Sequence, residues 1–390
     1  MKRQVYIIGS KGIPANYGGF ETFVEKLTQY QASQDIHYNV FCLYENSQKA
    51  QIPGKYFSHN QATCINIAVP SIGPAKAVYY DLKALAYGIR LAKEHHDEHP
   101  IFYVLTCRIG PFIGFFKRKI EKLGGKLYIN PDGHEWLRAK WSYPVKRYWK
   151  LSERLMMKHG DLIICDSKNI ESYIKERYAR YHPKTEYIAY GTETATSTLS
   201  YTDEQVNEWF QKQKISENDY YLVVGRFVPE NNYRAIIQAF MKSTTKKKLM
   251  LVTNVAENAF FKELKAETQF HLDSRIRFVG TVYDQELLKY IRENAFAYIH
   301  GHEVGGTNPS LLEALAMTKL NLLLGVPFNR EVAENGALYW EKDNLAAQIA
   351  VAEGLDQATI GQLHAASALR IQEQYTWPKI VNQYETLLTE

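Results

Sequence analysis

The stretch His302-Glu303-Val304-Gly305-Gly306-Thr307-Asn308-Pro309-Ser310-Leu311-Leu312-Glu313-Ala314-Leu315-Ala316-Met317 reads as a glycine turn running into a helix. Ahead of it, residues 295–300 form a short apolar run of the kind that makes a buried strand. Behind it, Leu311, Leu312, Leu315 and Ala316 recur at helical spacing. Gly305 and Gly306 permit backbone conformations and close approaches that a side chain blocks. Asn308 suits the N-cap and Pro309 the first helical position. Strand, glycine turn and helix N-terminus together leave free N–H groups aimed at the turn, an arrangement that binds phosphate. Glu313, one turn further in, is placed to accept hydrogen bonds from a sugar hydroxyl. The same residues also read as an ordinary βα turn whose Glu is solvated.

A chain of 390 residues exceeds one ordinary core, and two domains of roughly 150–200 residues are expected. The 45% hydrophobic content is globular, and no run approaches the roughly 20 apolar residues that span a bilayer. The apolar residues 5–8 follow Met1-Lys2-Arg3 without a small-residue cleavage site, so they read as a first strand rather than a signal peptide. Cys42, Cys64, Cys107 and Cys165 show neither CxxC nor zinc spacing and read as buried free thiols of a reducing compartment. The net charge of +5 is unevenly spread. Residues 1–195 carry 28 Lys and Arg against 18 Asp and Glu, whereas residues 196–390 carry 19 against 24. The first half is therefore the one expected to meet an anionic surface.

Working outward, apolar runs at 5–9, 39–44, 64–69, 101–106, 126–130 and 162–165 read as strands. Helical stretches such as 76–94 and 111–123 separate several of them. The second half repeats the pattern with strands at 220–225, 249–253, 276–280, 296–300, 321–324 and 338–340. Alternation of this kind implies parallel sheets covered on both faces, with ligands at the carboxyl ends of the strands. The polar stretch 193–200 is the best linker, and 360–388 reads as helical with a break near Trp377-Pro378.

Three further stretches lie at such strand ends. Residues 12–22 (Gly-Ile-Pro-Ala-Asn-Tyr-Gly-Gly-Phe-Glu-Thr) lack the GxGxxG spacing of a dinucleotide site; Gly18 and Gly19 either present amides to a substrate or diphosphate, with Glu21 nearby, or are purely structural. Asn130-Pro131-Asp132-Gly133-His134-Glu135-Trp136 puts three ionisable groups into four residues, as general base, substrate clamp or a self-satisfied turn. Arg226, after the strand 220–225, is placed for a bidentate grip on phosphate oxygens. Residues 117–158 hold 12 Lys and Arg against 4 acidic residues, interleaved with Trp136, Trp141, Tyr143, Tyr148, Trp149 and Met156-Met157. That mixture fits a membrane interface, nucleic acid, or a solvated basic helix over core aromatics.

The Gly-Arg strand end at 225–226 and the glycine turn with its helical Glu resemble the GT-B glycosyltransferases of the retaining family 4 type, over essentially the whole chain. Residues 12–22, 130–136 and 304–314 are similar to a bacterial subgroup that adds β-1,4-linked rhamnose to lipid-linked sugars in capsule or cell-wall polysaccharide synthesis. The resemblance implies an α/β, GT-B fold: two doubly wound Rossmann-like domains facing each other across a cleft. It places an acceptor-binding domain at 1–192, a nucleotide-sugar domain at 193–370, and a helix at 371–390 packing back on the first. It implies that Glu313 holds the nucleotide ribose, as the second Glu of a Glu-x7-Glu motif whose first Glu is here replaced by Gly305, with Glu303 as its candidate substitute. Arg226 would neutralise the diphosphate, Asn231 standing where a Lys is customary. Gly306, Thr307 and Asn308 match backbone donors to the phosphates, and Gly18 and Gly19 the first-domain glycine loop.

The implied reaction moves L-rhamnose from dTDP-β-L-rhamnose to a polyprenyl-diphosphate-linked glucose or N-acetylglucosamine. Arg226 and the helix N-terminus at Asn308 stabilise the leaving diphosphate. Asp132, His134 or Glu135 orients or deprotonates the acceptor. No Asp-x-Asp occurs, so the transfer is expected to be metal-independent and without cofactor. The expected partners are a nucleotide sugar, a lipid-linked acceptor and an anionic membrane surface met by 117–158, rather than nucleic acid. The expected place is the cytoplasmic, inner face of the plasma membrane. A GT-B sugar-nucleotide 2-epimerase and a catalytically silent nucleotide-binding scaffold are the alternatives.

Overall fold

The computed structural model describes residues 2–15, 18–52, 54–138, 140–255 and 257–390. The chain divides into two compact units, one of residues 1–191 with 377–390 and one of residues 192–376.

The first unit is built on eight strands: β1 (Arg3–Ile8), β2 (Ile36–Leu43), β3 (Tyr56–His59), β4 (Ala62–Ile67), β5 (Ile101–Leu105), β6 (Lys126–Asn130), β7 (Leu162–Cys165) and β8 (Thr185–Tyr187). Their order is β3-β4-β2-β1-β5-β6-β7-β8, and every pair is parallel except β3 with β4. Central strands covered on both faces must be apolar throughout, and all five residues of β5 (Ile-Phe-Tyr-Val-Leu) are buried. The antiparallel edge strand follows from its turn. Asn60 and Gln61 are the only two residues between β3 and β4, and both have positive φ (49° and 65°), the geometry of a tight hairpin.

The second unit holds β9 (Tyr220–Val224), β10 (Lys248–Val252), β11 (Ile276–Gly280), β12 (Ala297–His300), β13 (Asn321–Leu324) and β14 (Leu338–Trp340), all parallel in the order β11-β10-β9-β12-β13-β14. Leu222, Leu249, Leu251, Ile299, Leu322 and Trp340 are fully buried or nearly so in the cores on its two faces. In each sheet the chain reverses its direction of winding once, beside β1 in the first and beside β9 in the second. The crevice at the carboxyl ends of the strands flanking such a reversal is where open α/β sheets bind ligands.

The C-terminal segment differs from the expected division at 370. Helix Gln357–Gln374 runs through that position and buries Ser367 and Ile371 in the second unit. The break falls at Tyr375-Thr376, and only Trp377–Thr389 packs with the first unit, against helix Gly19–Gln29 and strands β1 and β2. Tyr384 lies against Phe23 (ring centroids 5.1 Å apart), and its hydroxyl is 3.1 Å from that of Tyr103. Glu385 accepts from the backbone N–H groups of Ala32 and Ser33 at 2.8 and 2.9 Å.

Candidate functional site

In the second unit the winding reverses between β9 and β12, which pair directly. The chain leaving β9 carries Gly225-Arg226, and the chain leaving β12 carries the glycine turn, so both loops emerge at the same end of adjacent strands. Helix Pro309–Met317 begins there. Asn308 caps it, its side chain accepting from the Ser310 N–H at 2.9 Å, and Pro309 takes the first helical position. The Ser310 hydroxyl donates to the Val224 carbonyl at 3.0 Å, which pins the helix N-terminus to the end of β9. Gly306 and Thr307 are buried behind it.

The two loops are tied by Asn231, where the resemblance implies a Lys. Asn231 donates from Nδ2 to the Arg226 carbonyl at 2.7 Å, and its Oδ1 meets His302 Nδ1 at 2.8 Å. The Glu303 N–H donates to the Glu230 carbonyl at 3.1 Å. Asn231 therefore stitches the loops together rather than offering a charge. Arg226 itself is exposed, its guanidinium extending from a loop whose backbone is held.

Gly305 accounts for the departure from the Glu-x7-Glu pattern. Its φ is 131°, a conformation that L side chains rarely adopt, and a Cβ there would stand 3.3 Å from His302 Nε2. This turn is shaped for glycine, so a Glu at 305 would require a different backbone path. Glu303, its candidate substitute, is half-buried and paired with Lys342 Nζ at 2.6 Å. Glu313 faces Arg292, whose Nη2 lies 2.5 Å from Glu313 Oε2. Arg292 is 2% exposed, so the carboxylate rests on a buried guanidinium that fixes its position.

Sequence reasoning missed Arg292 and also His300. His300 ends β12 and is buried. Its Nδ1 is 3.2 Å from the Tyr298 hydroxyl, and its Nε2 has no hydrogen-bond partner among the described residues. Burial, reinforced by neighbouring His302, pushes the imidazole well below its usual range, so it is neutral. The available signal was a His at the end of an otherwise apolar strand.

In the first unit, Gly18 caps helix Gly19–Gln29 with φ 129°. A Cβ at Gly18 would collide with the Glu21 carboxylate, which turns back to accept from the Lys11 N–H at 2.7 Å. Gly18 and Glu21 thus shape the loop after β1, and Gly19 is open on its outer side, with nothing within 4 Å of an added Cβ. Asn16 and Tyr17 of the same motif lie outside the described residues.

The three ionisable groups after β6 separate in role. Glu135 is 9% exposed and accepts from Trp141 Nε1 at 2.9 Å, with Arg138 Nε at 2.5 Å and Lys140 Nζ at 3.0 Å. A carboxylate so engaged clamps its own loop. His134 lies edge-on to Tyr173, with centroids 4.2 Å apart; burial and the nearby Arg177 lower its pKa. Asp132 is less engaged than Glu135. Its φ of 59° is left-handed, its N–H donates to Asn130 Oδ1 at 2.8 Å, and Arg138 approaches only to 3.8 Å. Burial raises its pKa against the pull of Arg138, the direction that makes a carboxylate a better proton acceptor.

Beneath this loop is a pair that the sequence reading did not single out. Asp81 is fully buried in helix Lys76–Glu94, and Arg108 Nη1 contacts both Asp81 Oδ2 and the Gly9 carbonyl at 3.1 Å. Burial raises Asp81 to about 6 even against that guanidinium. An acidic residue on an apolar helix face (Tyr80, Ala84, Leu85) was the signal for a buried partner.

The basic-aromatic stretch also needs correction. Met156 and Met157 are core residues, Trp141 bonds Glu135, and the Tyr148 hydroxyl donates to the Arg108 carbonyl at 2.7 Å. The large apolar side chains exposed along this part of the chain are instead Phe112, Phe115, Leu137, Tyr143 and Leu151.

Comparison with known proteins agrees with this geometry. Residues 2–193 match a domain of unknown function (DUF1972), and residues 205–369 match glycosyl transferases group 1. No curated protein matches the sequence. Among solved structures the chain is similar to sucrose-phosphate synthase from Thermosynechococcus elongatus (17% identity, TM-score 0.77, covering 99% of this chain and 98% of that one). It is also similar to Anabaena HepE in complex with UDP (15%, 0.71, 100% of both chains). A third likeness is to a glycosyltransferase from Rickettsia africae (14%, 0.73, 99% and 98%). This chain therefore has the GT-B fold, and its residues 205–369 match glycosyl transferases group 1.

Proposed function

We propose that this protein is a retaining, metal-independent glycosyltransferase that moves L-rhamnose from dTDP-β-L-rhamnose to a polyprenyl-diphosphate-linked glucose or N-acetylglucosamine at the inner face of the plasma membrane. The observation that carries the transferase reading is the second-unit loop pair. An exposed Arg226 and the Asn308-capped helix N-terminus leave adjacent strands at one winding reversal, within the group 1 match. A nucleotide diphosphate suits such a place: amides and a guanidinium stabilise the charge that grows on it as the sugar–phosphate bond breaks. Nucleotide use is supported by the UDP complex of a protein of the same fold. Glu313, set by Arg292, would accept from ribose hydroxyls. Asp132 would orient the acceptor hydroxyl or take its proton. The sugar and the lipid acceptor rest on the motifs at 12–22, 130–136 and 304–314. The membrane reading rests on exposed Phe112 and Phe115 beside Arg118, Lys119 and Lys122.

The test offers purified protein several sugar nucleotides, alone and with lipid-diphosphate glucose or N-acetylglucosamine, and weighs the products. A deoxyhexose added to the lipid acceptor from dTDP-rhamnose supports the proposal. Conversion of a sugar nucleotide without acceptor is the outcome of the epimerase alternative, and binding without product that of the silent scaffold. Arg226→Ala should lower transfer by at least ~100-fold, the scale of losing a transition-state charge partner. Near-full activity in that variant removes Arg226 from the reaction.

A further inference from the structure

Helix Tyr143–His159 turns Ser152, Glu153, Met156 and Met157 inward. On its outer side Arg147, Lys150, Leu151 and Arg154 follow i, i+3, i+4, i+7 spacing and so form one stripe. Arg177, the last residue of helix Lys168–Arg177, comes in beside them, and with Tyr148 these residues line a concavity of ≈ 460 Å³. Four cations face it and no carboxylate lines it. The acidic residue of the same helix, Glu153, points away and accepts from the Tyr173 hydroxyl at 2.6 Å and from that of Tyr178. Among the described residues none of the four cations makes an ion pair, although neighbouring Arg138, Lys140 and Lys175 all do. Lys150 Nζ sits 4.3 Å from the Trp136 ring centroid and Arg177 Cζ 5.7 Å from the same ring, so one indole holds two of the charges at the concavity.

We propose that this concavity is a binding site for a diphosphate group and, resting on the transferase reading above, that it holds the diphosphate of the lipid-linked acceptor. Glu153 offsets part of the charge of Arg177 from behind, but no carboxylate lines the concavity, so its like charges repel one another until a polyanion enters. The stripe from Arg147 to Arg154 spans about 10 Å of helix, wider than one phosphate. Guanidinium forks match phosphate oxygens in pairs, and three Arg with one Lys suit two linked phosphates. Leu151 in the same stripe is 41% exposed and offers an apolar neighbour to the first isoprene unit. The donor's diphosphate belongs to the second unit, so this is a separate anion site.

The experiment titrates inorganic pyrophosphate into the full chain presaturated with dTDP, by calorimetry, and compares wild type with Arg154→Glu/Arg177→Glu and with the milder Arg154→Gln/Arg177→Gln. One wild-type site, weakened at least 10-fold in both variants with unchanged thermal melting, is expected. Absent binding, or binding that the variants do not weaken, overturns the proposal. Steady-state kinetics then compare a short polyprenyl-diphosphate sugar with the same sugar as a simple glycoside. KM for the first should rise at least 10-fold in the variants with kcat kept, and kcat/KM for the second should not move. Equal losses on both acceptors overturn the assignment to the acceptor. A wild-type protein that binds pyrophosphate but transfers to neither acceptor removes the transferase reading and leaves the anion site standing. Variants that lose binding to phosphatidylglycerol vesicles yet keep wild-type pyrophosphate affinity assign the stripe to headgroups and overturn the proposal.

Discussion

At the scale of single residues, the glycine at 305 separates two accounts of an incomplete motif. If the missing Glu were a simple loss, restoring it would strengthen donor binding. The backbone argues otherwise, because φ at Gly305 is 131° and a side chain there is strained by about 1–3 kcal/mol. Gly305→Glu is therefore expected to lower both the stability of the second unit and the rate of transfer. Urea unfolding and initial rates check this, and a more active Gly305→Glu variant would show that the turn tolerates a Glu there. His300 makes a second prediction. Its folded pKa lies well below 6.5, so the stabilisation it allows is present above that value and lost as pH falls through the folded pKa. Within that window the loss approaches about 1.4 kcal/mol per pH unit. Unfolding free energies at pH 7.5 and 5.5 should therefore differ less in His300→Gln than in wild type; equal differences would mean that another group carries the acid sensitivity.

At the scale of elements, the second-unit site is two loops rather than a list of side chains. Asn231 joins them by two hydrogen bonds, each worth about 1 kcal/mol net. Asn231→Ala should accordingly destabilise the unit by about 2 kcal/mol and raise KM for the nucleotide sugar. Asn231→Lys should not restore either quantity, since the cation it brings lacks the carbonyl that holds His302. Donor kinetics on the pair decide the point, and a Lys variant better than wild type would reinstate the missing-charge account. The same loops show what a sequence makes visible. The glycines, the cap and Pro309 act on their own backbone, so local reading found them. Arg292 beneath Glu313 and Asn231 against His302 are effects of partners brought in by the fold, which spacing does not encode. The strands divide in the same way. Interior strands are apolar on both faces and stood out, whereas β3 and β8, at the two edges of the first sheet, did not. β8 is only Thr-Glu-Tyr, and the β3 hairpin turns on Asn60-Gln61 instead of the Asn-Gly that announces such a turn.

For the whole molecule, the consequential feature is that the first unit is completed by the last residues of the chain. Trp377, Ile380, Val381, Tyr384 and Leu388 are each no more than 4% exposed. Five such side chains contribute about 1.5–3 kcal/mol apiece on burial, on the order of 10 kcal/mol together. That equals the whole net stability of an ordinary domain, about 5–15 kcal/mol. The helix also supplies polar partners, since without Glu385 the N–H groups of Ala32 and Ser33 lose their acceptor. A chain ending at Thr376 should consequently fail to form a stable first unit, although it keeps every residue of the 12–22 and 130–136 motifs. Circular dichroism should show loss of one unfolding transition, and limited proteolysis should cut within residues 1–191 while sparing 192–376. Glu385→Gln, which removes the charge but keeps an acceptor, should cost only about 1–2 kcal/mol and leave both transitions in place. The burial argument predicts that order of severity. A truncated chain that melts within a few degrees of the full one would mean that the N-terminal sheet holds its own core and that the helix is only laid upon it.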